Sequence, residues 1–131
     1  MAIISSKINA ETQFSNLKEI NLMNVRKEID MLLVDDERLE CAFHTIRDQV
    51  IFTNKRIIVV NVQGVTGKRI SYFSYPFAKV QYFGFQTAGL LDIDSELILA
   101  FSNGSKLQLE FRSKVDVHKL STIISKYALI A

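Results

Sequence analysis

The spacing of apolar residues after Arg38 constrains the fold more than any other feature of this chain. In "RLECAFHTI" the apolar residues Leu39, Cys41 and Phe43 recur at every second position. This period is typical of a strand with one buried face. Six more segments of strand character follow between turn-forming residues: "QVIF", "KRIIVVNV", "KRISYFSY", "AKVQYFGFQT", "SELILAF" and "SKLQLEF". The sequence therefore predicts about seven antiparallel strands at hairpin spacing.

Short polar segments separate these strands. Asn103-Gly104 between the last two strands is a strong hairpin signal. Thr53-Asn54 can turn the chain because asparagine tolerates a positive φ. Arg47-Asp48 is a two-residue polar interruption, and Gly64 and Gly67 supply backbone freedom for a further turn.

The last segment reads as an amphipathic helix. Val117, Leu120, Ile124 and Tyr127 follow at three- and four-residue steps, and Ser113 with Asp116 fits a capping box. Seven short twisted strands in meander order curl into two packed sheets or a barrel. We expect the helix to bury its apolar stripe over the open mouth of that barrel.

The first 35 residues read as helical. "NVRKEIDMLL" places Val25, Ile29, Leu32 and Leu33 on one face at helical spacing, and the period upstream is poor. We expect one or two short helices here. The predicted division is a helical extension over residues 1–35, packed on a domain over residues 36–131.

Charge and composition narrow the class of protein. The net charge of +2 is too small to imply nucleic acid by itself. The single cysteine, Cys41, excludes an internal disulfide and is expected to be a small buried residue. We see no signal peptide and no run approaching 18 apolar residues. A cytoplasmic location is the expectation.

The segment "GVTGKR" resembles a phosphate-binding loop only superficially. A P-loop needs four residues between its glycines, a Ser or Thr after the lysine and a following helix. Here two residues separate Gly64 from Gly67, Arg69 follows Lys68, and the next segment favours a strand. We expect Lys68 and Arg69 to open that strand on opposite faces.

Other catalytic or metal-binding patterns are weak. His44 and His118 lie in a presumed strand and helix without a second ligand at metal spacing. Asp92 and Asp94 match the first part of a calcium-loop pattern, but its glycine and terminal glutamate are missing. The prediction is a protein that is not an enzyme, with no cofactor and no metal.

Aromatic and basic residues interleave in "KRISYFSYPFAKVQYFGF". Stacking platforms for nucleic acid use such residues. Strand alternation offers a simpler account, in which some of the aromatics are core and the others face outward. Outward aromatics favour a protein interface over nucleic acid.

The order of these motifs resembles the bacterial pleckstrin-homology-like (PH-like) domain family. The matching segment is "IRDQVIFTNKRIIVVNVQGVTGKRISYFSYPFAKV", from Ile46 to Val80. Its continuation "GFQTAGLLDIDSELILAF" and the closing helix agree, so the resemblance covers residues 36–131. It implies a mainly β, seven-stranded, bent antiparallel barrel capped by a C-terminal α-helix.

The resemblance also implies a role. Similar family members are single domains that assemble into cyclic homo-oligomeric rings, pentamers being expected, and present a polar surface for protein–protein interaction. No enzymatic activity or cofactor is implied. The polar surface expected in this chain consists of Arg47, Asp48, Asn54, Lys55, Arg56 and Lys68. The outward aromatics of "YFSYPF" and the strand edges would form subunit contacts.

Two alternatives stay open. Arg47-Asp48 can be simply a salt-linked turn. The chain can also bind an anionic membrane lipid or a phosphorylated ligand through Lys55, Arg56, Lys68 and Arg69. The loop that binds phosphoinositides in eukaryotic PH domains is here Ile46–Gln49, which offers one arginine beside an aspartate. A polyphosphorylated headgroup needs several charge-assisted bonds.

Overall fold

The computed structural model describes residues 11–87, 95–112 and 114–129. Within them the chain forms eight strands, three short 3-10 helices and one α-helix. The strands are β1 (Glu11–Ile20), β2 (Leu39–His44), β3 (Gln49–Thr53), β4 (Arg56–Gln63), β5 (Arg69–Pro76), β6 (Val80–Thr87), β7 (Ser95–Phe101) and β8 (Lys106–Phe111). The 3-10 helices are Leu22–Asn24, Lys27–Met31 and Phe77–Lys79, and the α-helix, α1, is Val117–Ala128. The mainly β prediction with a C-terminal helix is confirmed.

The first of two compact units is Lys18–Phe77. Strands β2, β3, β4 and β5 follow one another as an antiparallel meander, and the last residues of β1 pair with β2. The buried core of this unit consists of aliphatic side chains from β2, β3, β4 and the second 3-10 helix: Ile29, Ala42, Ile51, Ile58 and Val60. Phe43 of β2 and Phe52 of β3 are also buried and meet edge to face, with ring centroids 5.8 Å apart.

The second unit contains residues 11–17 and the described residues from Ala78 onward. Here β6, β7 and β8 form an antiparallel meander, and the first part of β1 pairs in parallel with β8. Alternate residues of β8 are buried, and β7 buries Leu97 and its last three residues, Leu99, Ala100 and Phe101. Helix α1 packs against β6 and buries Leu120 and Ile124.

The predicted hairpin turn at Asn103-Gly104 and the predicted C-terminal helix are confirmed. Gly104 adopts φ +90° in the turn between β7 and β8, and its N–H donates to the Phe101 carbonyl at 2.9 Å. At the start of α1 the Asp116 carboxylate accepts from the Lys119 N–H at 2.9 Å, which satisfies one of the unpaired donors of the first turn. Asp116 is therefore the N-cap residue itself, and the prediction that it would stand three residues after an N-cap at Ser113 is wrong. Ser113 lies outside the described residues.

The helical prediction for the N-terminal segment is wrong over β1. The apolar residues Phe14 and Leu17 are three apart, which imitates a helical period. The strand contains a bulge between them, where Asn16 adopts φ +61°. Because a bulge adds one residue to the strand, two side chains on the same face lie three positions apart instead of two. The seven predicted strands correspond to β2–β8, and β1 is an eighth.

The amphipathic helix expected from Val25 to Leu33 is replaced by short 3-10 helices. Its apolar residues still pack on the first unit's core, where Ile29 is fully buried. The backbone is held by the Gln49 side chain, which donates to the Asn24 carbonyl and accepts from the Arg26 N–H, both at 3.0 Å. These tertiary bonds compete with an α-helical ladder. The division at residue 35 stays a prediction.

Candidate functional site

Two turns lie side by side at one end of the first unit. The turn between β2 and β3 contains Ile46, Arg47 and Asp48, and the turn between β4 and β5 contains residues 64–68. Gly64 and Gly67 adopt φ of +84° and +68°, which L side chains rarely tolerate. The Gly67 N–H donates to the Gly64 carbonyl and closes the second turn.

Arg47 and Asp48 join these two turns. The Arg47 Nη2 donates to the Gly64 carbonyl, and the Asp48 Oδ1 accepts from the Val62 N–H at 2.8 Å. The Asp48 Oδ2 also accepts from Asn61 at 3.4 Å. The two side chains therefore bind the neighbouring β4 strand and turn, and they do not form the salt-linked turn that was the simpler alternative.

The tips of both turns carry apolar side chains that sequence reasoning missed. Ile46 is 102% exposed and Val65 is 105% exposed. We call Ile46, Arg47, Val65, Lys68 and Arg69 the loop face. The sequence contained a signal for these tips, because an aliphatic residue inside a polar turn does not belong to the buried face of a strand.

Lys68 and Arg69 line the same open groove, with a volume of about 650 Å³. Strand β5 begins at Arg69, so Lys68 precedes the strand, and the opposite orientation of the two side chains stays a prediction. Gln63 and Thr66 also line this groove. A groove with two cations and polar neighbours suits an anionic group.

Asn54 and Arg56 lie at the opposite end of β4 and serve the fold. Asn54 is buried, and its side chain accepts from the Arg38 N–H at 2.8 Å and donates to the Asp36 carbonyl at 2.9 Å. The Arg56 guanidinium donates from Nε and Nη2 to the two carboxylate oxygens of Glu37, each at 2.9 Å. Lys55 lies between them and is half-buried.

The Glu37–Arg56 pair is buried. The Glu37 side chain has no exposed area and that of Arg56 is 19% exposed. Burial by itself raises the pKa of the Glu37 carboxyl, but hydrogen bonds from Arg56, Thr53 and the Val34 N–H outweigh it and hold that pKa below its usual value of 4.5. Arg56 also donates to the Ser74 hydroxyl and to the Leu32 carbonyl.

The six residues expected to form one polar surface are thus divided between the two ends of β4. Arg47, Asp48 and Lys68 lie at the loop face or beside it, whereas Asn54, Lys55 and Arg56 lie at the other end. Strand β4 has eight residues, so the two groups are separated by about 23 Å. Of these two groups, the loop-face group is the better candidate for binding.

Two strands leave an edge open. Strand β5 pairs with β4 and β6 pairs with β7, and within the described residues neither has a second neighbour. Each carries an exposed aromatic side chain, Phe73 at 52% and Tyr82 at 54%. Phe77 is buried, as expected for those aromatic residues of this segment that belong to the core.

The remaining sequence candidates are dispersed. Cys41 is buried, as predicted, and His44 and His118 are exposed on separate elements. The described part of the chain contains no group of three His, Cys, Asp or Glu residues arranged to hold a metal ion. Asp92 and Asp94 lie outside it. No helix in the described ranges is long and apolar enough to cross a membrane.

The meander of strands, the C-terminal helix and the short turn between β2 and β3 define the class of protein. The model of the family described as "Bacterial PH domain" matches residues 10–128, and the chain belongs to this family. The chain is 30% identical over 112 residues to the uncharacterized protein YjqA of Bacillus subtilis (strain 168), covering 84% of this chain and 90% of YjqA.

Solved structures give the same result. A DUF1696 family protein with a pleckstrin-homology domain from Shewanella loihica PV-4 is 37% identical, with a TM-score of 0.74 over 88% of this chain and 99% of that one. A pleckstrin homology domain from Shewanella amazonensis SB2B is 34% identical, with a TM-score of 0.62 over 98% of this chain and 99% of that one. These matches confirm the family that the order of motifs in the sequence predicted.

Proposed function

We propose that this protein is a non-catalytic PH-like interaction module of the cytoplasm that assembles into a closed cyclic homo-oligomer. The subunits meet through the open edges of β5 and β6, and a ring of five is the expected form. The assembled ring presents the loop face to a protein partner. The observation that carries this proposal is the pair of open edge strands, each with an exposed aromatic side chain.

An open edge presents a row of unpaired N–H and C=O groups that favours pairing with another chain. Chains protect such edges with charge, proline or bulges. Strand β5 has only Arg69 at its start and Pro76 at its end, and β6 contains no charged residue and an irregularity only near its start, between Val80 and Tyr82. Pairing β5 of one copy with β6 of the next uses both edges, and a closed ring leaves neither free.

The exposed aromatics support the same interface. Aromatic residues are enriched at the centre of protein interfaces and charged residues are depleted there. Phe73 lies near the middle of β5 and Tyr82 lies in the first half of β6. Their burial between copies would remove apolar surface from water.

A non-catalytic role is consistent with the surroundings of Glu37, the carboxyl whose pKa is clearly displaced among the residues that the structure describes. Glu37 is bound on both oxygens by Arg56, and its further hydrogen bonds come from Thr53 and the Val34 N–H. Such a carboxylate is fixed as an acceptor, which suits a structural role and not proton transfer.

Placing a charge on either edge tests the proposal. The variants Phe73→Glu and Tyr82→Glu should each lose assembly, because a carboxylate in the centre of an apolar interface is desolvated without a partner. Size-exclusion chromatography with light scattering measures the loss. Ile46→Glu and Val65→Glu introduce the same charge at exposed loop tips and should keep the mass of the wild type. Unchanged masses for both edge variants would contradict the proposal.

The loop face supports a second candidate function, peripheral binding to an anionic membrane. Two fully exposed aliphatic tips, Ile46 and Val65, flank the cations Arg47, Lys68 and Arg69. Apolar side chains can enter the lipid headgroup region while the cations attract anionic lipids. Lys55 and Arg56, the other cations expected to take part, lie at the far end of β4.

Vesicle sedimentation tests this candidate. With phosphatidylserine vesicles at 0.01 M salt we expect pelleting that falls steeply at 0.1 M, because the Debye length shortens from about 30 to about 10 Å. The double variant Ile46→Glu with Val65→Glu should abolish pelleting. Met31→Glu, which changes an exposed side chain outside the loop face, should not. Wild-type protein that stays in the supernatant at low salt eliminates the membrane candidate.

A further inference from the structure

An open cavity of about 300 Å³ lies in the second unit where β6 ends and β7 begins. Polar and charged residues from neighbouring strands line it, among them Asn16, Gln86, Ser95, Glu96, Glu110 and Arg112. Small-ligand sites are concave, usually about 300–1,000 Å³ in volume, and contain a few polar groups that fix the orientation of the ligand. This cavity is at the small end of that range, so it has room for a small molecule that carries charge.

Two carboxylates face each other in the cavity. Glu96 and Glu110 are direct cross-strand partners, and like charges in that position destabilise a sheet. The Glu110 Oε1 accepts from the side chains of Gln13 and Ser15, which leaves its Oε2 available. Glu96 forms no ion pair within the described part of the chain. A primary ammonium group, which has three donors, would bind both glutamates and relieve their repulsion.

Arg112 places a cation beside this pair of acids without neutralising it. Because Glu96 faces Glu110 directly, Arg112 is its diagonal neighbour, with Cα atoms about 7–8 Å apart. The two form no ion pair. The Arg112 Nη1 instead donates to the Asn16 Oδ1 at 2.8 Å. Since Asn16 is on β1, and β1 and β7 lie on opposite sides of β8, this bond directs the guanidinium away from Glu96.

The separation of these charges leaves donors and acceptors for a ligand. A guanidinium has five N–H donors, and the bond to Asn16 uses one of them. The others can bind a carboxylate in the bidentate geometry that arginine favours. Ser95 also lines the cavity, and its Oγ is buried without a hydrogen-bond partner. Native structures leave few buried polar atoms unsatisfied, so this hydroxyl is a further group that a ligand can satisfy.

We infer that this cavity binds a small zwitterion in which an ammonium and a carboxylate are close together, as in a free α-amino acid. The ammonium lies between Glu96 and Glu110, and the carboxylate binds Arg112. A simple anion would be repelled by the two glutamates, and a simple cation would leave the guanidinium unused. This site is distinct from the loop face and from the proposed contacts between subunits, and it adds a small-molecule ligand to an interaction module.

Calorimetric titration of the full chain with each proteinogenic L-amino acid tests the ligand class. At least one amino acid should bind with a dissociation constant below about 1 mM. The amide of that amino acid lacks the anionic carboxylate, and the matching deaminated acid lacks the ammonium. Each should bind at least about tenfold more weakly, because it loses a charge-assisted contact. No binding by any amino acid, or undiminished binding of the amide or the deaminated acid, overturns the inference.

Substitutions in the cavity test the assigned contacts. Glu96→Gln should weaken binding of the amino acid by about tenfold or more and should not weaken binding of the deaminated acid. Arg112→Gln should weaken the amino acid similarly and should not weaken its amide. Glu96→Gln removes a like-charge repulsion, so the thermal unfolding midpoint should not fall. Glu19→Gln makes the same change on an exposed glutamate outside the cavity and should bind like the wild type. Wild-type affinity in either cavity variant, or an equal loss in Glu19→Gln, contradicts the assignment.

Discussion

Replacing Glu37 by Gln lowers the free energy of unfolding by about 3–5 kcal/mol at neutral pH, because it leaves the Arg56 guanidinium with no buried counter-charge. This guanidinium also holds the Leu32 carbonyl and the Ser74 hydroxyl, so its displacement loosens the segment before β2 and strand β5 together. Urea unfolding followed by circular dichroism measures the change. A folded domain is stable by only about 5–15 kcal/mol, so the loss is a large part of the total.

Glu28→Gln is the matched control. Glu28 forms an ion pair with Arg26 at 3.5 Å, but half of its side chain is exposed. Exposed pairs contribute at most about 1 kcal/mol, so this variant should unfold close to the wild type. Equal losses for the two variants would show that burial of the Glu37–Arg56 pair has no special effect.

The stabilisation by Glu37 also predicts the direction in which the free energy of unfolding changes with pH. The pKa of Glu37 is lower in the folded chain than its usual value of 4.5. Its stabilisation is therefore fully present above pH 4.5 and is lost as pH falls through the folded-state pKa. The difference between the wild type and Glu37→Gln should shrink as pH is lowered below 4.5. A difference that stays constant down to pH 3 would contradict this assignment.

Mixing the Phe73→Glu and Tyr82→Glu variants should restore assembly only as far as a dimer. The first variant has a damaged β5 edge and an intact β6 edge, and the second has the reverse. Each mixed pair can therefore form one intact β5–β6 contact, and the remaining edges are both damaged. Light scattering of the equimolar mixture should give twice the monomer mass of 14.9 kDa.

The same mixture distinguishes head-to-tail pairing from a two-fold dimer. A dimer built from two β5 edges would be lost in Phe73→Glu and retained in Tyr82→Glu, and mixing would add nothing. The control mixture of Ile46→Glu with Val65→Glu should keep the full wild-type mass. Monomers in the edge-variant mixture would argue against the β5–β6 contact.

The fold was predictable wherever local signals were consistent. Strands β2–β8 followed from alternation and turn residues, and the turn at Asn103-Gly104 and helix α1 agree with the structure. Strand β1 was missed because the bulge at Asn16 gives its apolar residues a helical spacing. Local patterns cannot distinguish a bulged strand from a short helix without the neighbouring strands.

The site was predictable only in part, because charge in a sequence does not reveal its partner. Lys55, Arg56 and Lys68 look alike along the chain, yet Arg56 is bound to Glu37, which lies 19 residues away. Asn54 is likewise buried by the segment from Asp36 to Arg38. Ile46 and Val65 stand out in the sequence as aliphatic residues within polar turns, but only the structure shows that the two turns lie side by side.

The mass of the wild-type protein in solution tests the central claim most directly. Light scattering across a dilution series at micromolar concentration should give one integral multiple of the monomer mass of 14.9 kDa, which is fivefold for the expected ring. This mass should not change with salt between 0.05 and 0.5 M, because the contact is centred on apolar residues and backbone hydrogen bonds. A mass of 14.9 kDa throughout the series would contradict the proposed assembly.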